Sequence, residues 1–195
     1  MKKLFVLSCL FLIMSCASVT ASADTFTLVS SNGATSADGY PVGPLTGILN
    51  ASTITTFCND FAHQVNYGDT WEVTVRSFSE LSGDTLSRYQ QAAWLTTQFA
   101  VQPQQQWGDI QYALWRVFNN DPLLVTSGSS FWLAQAQNQN FANFDFSAFR
   151  ILTPTGPNGQ EMMTTVPEPA TLLLLGTGLT GIAARIRRRR KVARV

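Results

Sequence analysis

Between residues 24 and 166 the sequence contains no lysine, one cysteine (Cys58) and one histidine (His63). Each scarcity excludes something. A single cysteine cannot close an internal disulfide. One cysteine and one histidine, even with Asp60 nearby, fall short of the ligand set of a structural Cys/His metal site, so neither a metal nor any other cofactor is expected. Basic residues are also few: Arg76, Arg88, Arg116 and Arg150 face eleven carboxylates in this stretch, a net charge of −7. That excludes nucleic acid as a partner, because phosphate recognition needs a basic surface. The formal charge of +1 for the whole chain hides this, since the remaining basic residues all lie near the two ends. No phosphate-binding glycine loop and no nucleophile elbow occurs. Asn50-Ala51-Ser52 has the form of a glycosylation sequon.

What is present begins with the ends. Met1-Lys2-Lys3, an apolar run from Leu4 to Met14, and small residues closing on Ala21-Ser22-Ala23 have the three regions of a secretory signal peptide. Cleavage after Ala23 would leave Asp24 first. Ile13-Met14-Ser15-Cys16 offers a looser, lipoprotein-like alternative. At the other end stand Val166-Pro167-Glu168-Pro169, then an apolar stretch from Ala170 to Ala184, then a basic cluster of Arg185, Arg187, Arg188, Arg189, Arg190 and Lys191. As a helix, the apolar stretch would reach about 22 Å, short of a hydrocarbon core of roughly 30 Å. Gly176, Gly178 and Gly181 weaken it further as a helix. The basic cluster would stay cytoplasmic and act as a membrane stop, leaving the preceding domain outside.

This order of parts resembles the PEP-CTERM sorting signal. The resemblance implies a bacterial substrate of exosortase, in contact with the membrane through its C-terminal segment until processed. The expected course is export with removal of the first segment by signal peptidase, an inner-membrane intermediate, then the cell surface or extracellular matrix. The organisation is therefore 1–23 signal peptide, 24–165 secreted domain and 166–195 sorting signal.

Residues 24–165 suffice for one domain with a real core. Thr25–Val29, Ile54–Cys58 and Trp71–Arg76 read as strands. Asn32-Gly33 and the stretch from Gly39 to Gly47 read as loop. The period then changes. A helix is expected over about Ser87–Phe99, ended by Pro103. A second should start at Asp109 as N-cap, with Ile110, Ala113, Leu114, Val117 and Phe118 on one apolar face. A third, weaker helix spans Ser130–Asn138. Phe149–Leu152 and Glu161–Val166 are expected to pair as a hairpin around Asn158-Gly159. The expectation is an α+β fold: an antiparallel sheet with a two- to three-helix insert.

Three functional readings follow. Phe57-Cys58-Asn59-Asp60, and Ile110-Gln111-Tyr112-Ala113-Leu114-Trp115 on the clearest helix, resemble the paired motifs of bacterial thioester domains of surface adhesins. The family's usual Thr and Ile are here Ile110 and Leu114. The resemblance implies an internal thioester between Cys58 and Gln111, an acyl donor for amines on another molecule and not an enzyme. Phe57, Trp94 and Trp115 would shield the bond from water, and a lysine-free domain would not couple to its own copies through lysine. The second reading is a non-enzymatic structural or carbohydrate-binding module of an exopolysaccharide matrix, with Trp71, Trp107 and Trp132 as candidate contacts. The third, a thiol hydrolase, needs Cys58 and His63 within hydrogen-bond reach. Against all three stands a plain alternative, in which Cys58 is a small buried apolar residue and Gln111 merely belongs to a helix start.

Overall fold

Among the described residues, six strands and three α-helices build the domain. The computed structural model describes residues 23–165 apart from 32 and 37. The expected signal peptide and the sorting signal, with its Pro-Glu-Pro motif, apolar stretch and basic cluster, lie outside the described residues. Among the described residues, no helix is long and apolar enough to cross a membrane.

Alternation of apolar and polar side chains produces β1 (Asp24–Ser31) and β4 (Thr70–Ser77). Phe26 and Leu28 of β1, with Trp71 and Val73 of β4, turn inward to one shared core. Between them run β2 (Leu45–Leu49) and β3 (Ser52–Cys58), and the chain ends in β5 (Phe149–Pro154) and β6 (Met162–Thr165). All neighbours are antiparallel, and the order β1-β2-β3-β6-β5-β4 closes into a barrel through the β1–β4 pair. The helices are inserted between β4 and β5: α1 (Gly83–Val101), α2 (Trp107–Arg116) and α3 (Ser127–Gln137). The fold is thus α+β with a helical insert in an antiparallel sheet.

Several local expectations are corrected. Part of the stretch read as loop is β2, and Gly47 is what permits it. A side chain there would begin 2.4 Å from the Phe26 ring, so the strand passes over Phe26 only as glycine. Asn50 and Ala51, both at positive φ, close the β2–β3 hairpin as a two-residue turn. The β5–β6 pair exists, but a longer loop joins it and not a tight Asn-Gly turn. Gly159 instead lies against Trp71, where a Cβ would sit 2.5 Å from the indole. Asp109 does not cap α2, which starts at Trp107 with Gln106 as N-cap. The Asp109 carboxylate accepts from the hydroxyl of Thr126, the N-cap of α3.

Two apolar clusters meet on α2. Ile110, Ala113, Leu114 and Val117 pack with α1 and α3. Tyr112 and Trp115 pack into the barrel cluster together with Cys58. Fully burying an Ile or Leu side chain contributes roughly 1.5–3 kcal/mol, so Ile110 and Leu114 hold α2 firmly in place. Every residue from Ile110 to Trp115 is buried.

Candidate functional site

Cys58 is the last residue of β3, paired with Met162 of β6. Beyond it the chain leaves the barrel, and the carbonyl of Asp60 turns back toward the sulfur. The Cys58 thiol donates to that carbonyl at 3.1 Å and accepts from Trp115 Nε1 at 3.3 Å. Burial pushes the thiol up to about 12, although the indole hydrogen bond acts in the opposite direction. The sulfur is therefore a neutral thiol at ordinary pH.

Gln111 is 1 % exposed. A primary amide is costly to bury unless both ends find partners, and both do. Nε2 donates to the backbone carbonyl of Cys58 at 2.7 Å, and Oε1 accepts from the backbone N–H of Gly43 at 3.4 Å. A carbonyl acceptor on one side and an N–H donor on the other fix which end of the amide is oxygen. Gly43 has φ +83°, and a Cβ there would lie 2.5 Å from the Trp107 ring. The N–H facing Gln111 thus depends on glycine at this position.

Spacing on α2 sets the rest. Gln111 and Trp115 are four residues apart and share a face, and both side chains reach Cys58. Of the residues expected to surround the sulfur, only Trp115 does so. Phe57 precedes Cys58 on the strand and points to the opposite face, where it stacks on Phe99 at 5.5 Å. Trp94 packs near Trp132 in the helix-side cluster. Among the rings packed on Trp115 are Tyr40 and Phe61, at centroid distances of 6.0 and 5.0 Å from it. With Cys58, Asp60 and Gln160 they line a cavity of about 280 Å³. Gln160 Nε2 donates to the carbonyls of both Asp60 and His63, each at 2.7 Å, and so fastens the chain segment beside the sulfur.

His63 is not a partner of the thiol. Its Nδ1 bonds Asp60 Oδ2 at 2.7 Å, and its ring is half exposed to solvent. The thiol spends its hydrogen bonds on Asp60 and Trp115, so His63 does not activate it as a general base. Trp71 and Trp132 are buried in the core, so they form no saccharide-stacking surface. Gly43, Tyr40, Phe61 and Gln160 were not singled out from the sequence. Gly43 lies within a Gly/Pro-rich stretch whose only local signal is loop.

The PEP-CTERM protein-sorting motif matches residues 165–189. The motif implies export across the membrane to the cell surface, with exosortase as the processing partner. The comparison with curated proteins returned no match. Among solved structures, the chain is similar to the N-terminal thioester domain of a surface protein from Clostridium perfringens. The TM-score is 0.49 and the identity 10%, covering 74% of this chain and 98% of that one. At that identity and score the likeness assigns this chain neither an activity nor a partner.

Proposed function

We propose that this exported, exosortase-processed protein becomes a surface or matrix component that attaches covalently to amine-bearing molecules through a Cys58–Gln111 thioester. The observation that carries this reading is the hydrogen bond from the Gln111 carboxamide to the Cys58 backbone carbonyl, made where both residues are buried. The amide nitrogen, which must leave, is held against the residue that supplies the nucleophile.

The step balances without any outside reagent. The Cys58 sulfur attacks the Gln111 carboxamide carbon, a C–S bond forms, the C–N bond breaks, and the thiol proton departs with the nitrogen as ammonia. Negative charge develops on Oε1 in the tetrahedral intermediate, and the Gly43 N–H already faces that atom. An incoming amine then attacks the thioester carbon, forms an amide at Gln111 and returns the thiol. The acyl group is spent once, so the protein is a single-use coupling partner and not an enzyme. The cavity beside Cys58 offers an approach, and Tyr40, Phe61 and Trp115 limit water. Adhesion and a biofilm-matrix location belong to the same proposal.

The test exploits the missing lysines. Within residues 24–166 trypsin can cleave only after the four arginines. A thioester would join the Cys58 peptide to residues 89–116, with a joint mass about 17 Da below the sum, the mass of ammonia. Methylamine should separate the two and add about 31 Da to the Gln111 peptide relative to its acyl form. Cys58→Ala must abolish both signals. Two separate peptides with an intact Gln111 carboxamide in the native chain would sink the proposal.

A further inference from the structure

The segment that brings the Gly43 N–H to Gln111 is itself a small hairpin, residues 34–36 and 38–43. Val42 N–H donates to the Ala34 carbonyl at 3.1 Å, Ser36 N–H to the Tyr40 carbonyl at 2.8 Å, and Gly39 N–H to the Ser36 carbonyl at 3.0 Å. Thr35 and Pro41 pair across it. Ala34, Ser36 and Val42 are buried, whereas Asp38 near the tip is exposed. The cross-hairpin bonds couple that tip to Gly43 at the foot.

The tip is held by the residue that follows Gln111. The Tyr112 hydroxyl donates to the Asp38 carboxylate and also bonds Ser36 Oγ at 3.2 Å. Burial and the bond to Asp38 raise the phenol, so it stays a neutral donor. Ser36 Oγ accepts in turn from the backbone N–H of Tyr40, the residue whose ring packs on Trp115. Gln111 and Tyr112 thus grip one hairpin from neighbouring positions of α2. The Gln111 grip is the weaker one. At 3.4 Å the Gly43 bond stands at the long end of hydrogen-bond geometry, so a small shift of the hairpin breaks it.

We propose that Tyr112 is a positioning residue for the acyl chemistry. By holding Asp38 and Ser36 it sets the hairpin where the Gly43 N–H meets Gln111 Oε1 and Tyr40 lies over Trp115. It acts through the hairpin and not on the reacting atoms. The chemical consequence rests on the thioester reading, whereas the hold on Gly43 does not.

The hold is read on the full-length Cys58→Ala chain in detergent micelles, which cannot form the bond. Tyr112→Phe should speed hydrogen exchange of the Gly43 N–H about fivefold by NMR, the worth of a typical net hydrogen bond. Amides of β3 and β6 should keep their rates. Asp38→Ala should match Tyr112→Phe, and the double variant should go no further than either. Asp38→Asn keeps an acceptor and should cost only about twofold, since a neutral hydrogen bond is roughly half as strong. The chemistry is read on chains that keep Cys58, diluted from urea into micelles. The cross-linked peptide should accumulate about fivefold more slowly in Tyr112→Phe, because the Gly43 donor is misplaced. Unchanged Gly43 exchange, or equal acceleration in β3 and β6, would overturn the positioning role. So would normal cross-linking in a Tyr112→Phe chain whose Gly43 N–H exchanges faster. A parent chain without any cross-linked peptide would overturn the thioester reading and the chemical role together, and the exchange rates on Cys58→Ala tell that failure from the other. Should Tyr112→Phe fail to fold, Asp38→Ala, at an exposed position, reads the same contact.

Discussion

The indole Nε1–H of Trp115 donates to the sulfur of Cys58 at 3.3 Å, joining residues 57 positions apart. Among the described residues it is the one side-chain hydrogen bond to the sulfur, and it favours the ionised form of a thiol that burial otherwise holds neutral. Trp115→Phe keeps most of the ring and removes the donor. We expect a loss of about 1 kcal/mol in stability, read by urea unfolding. We also expect slower release of Cys58 from the thioester by methylamine, because the departing sulfur loses its donor.

Gly43 should tolerate no side chain. Gly43→Ala places a Cβ 2.5 Å from Trp107 in a backbone at φ +83°. Trp107 or the loop must move, and the N–H facing Gln111 Oε1 moves with it. The expected outcome is a lower melting temperature and a reduced fraction of cross-linked peptide. An unchanged cross-linked fraction would separate Gly43 from the chemistry.

Thiol reactivity should reveal the buried environment once acyl transfer is blocked. In Gln111→Ala the sulfur stays a free thiol. Iodoacetamide should label folded Cys58 slowly at neutral pH, with the rate rising as pH approaches about 12, whereas urea-unfolded chain should titrate near the ordinary thiol value of 9.0. The sign for stability follows from a folded value above the unfolded one. The neutral buried thiol contributes fully below pH 9.0, and its contribution is lost as pH rises toward about 12. Gln111→Ala should therefore lose stability over that range relative to a chain carrying Cys58→Ala as well.

Gln160 should control how well water is kept out. It bonds two carbonyls of the segment beside Cys58. Gln160→Ala should leave the barrel intact, loosen that segment and speed hydrolysis of the thioester. The product at Gln111 would be a glutamate, heavier than the acyl form by about 18 Da, one water. An unchanged hydrolysis rate would show that the other walls suffice.

The sorting motif has its own test. Replacing Pro167, Glu168 and Pro169 with alanine should leave the C-terminal segment on the exported chain. Retention in the membrane fraction, with loss from the surface or medium, is the expected result.

Legibility from sequence was uneven for physical reasons. The apolar face of α2 was plain because helical period is local, and its members do lie together in the core. Strands β1, β3 and β4 are visible through alternation and β-branched content, whereas β2 is hidden by Gly47, which permits the close approach of Phe26. Asp109 looks like a cap when only its own helix is considered, yet its partner Thr126 stands 17 residues on. Phe57 and Trp94 were natural choices as shielding groups, but neighbours on a strand point to opposite faces, so adjacency to Cys58 sends Phe57 away from it.

The sequence by itself determined the composition of the domain: acidic, lysine-free, with one cysteine, and flanked by segments that read as export and sorting signals. It also determined that Gln111 and Trp115 share a helix face, since that follows from 3.6 residues per turn. Only the tertiary structure decided that this face meets Cys58 and that Gly43 supplies the N–H. Cys58 and Gln111 are 53 residues apart. What brings them together is closure of the barrel and the burial of α2 between two apolar clusters, and no local pattern encodes that.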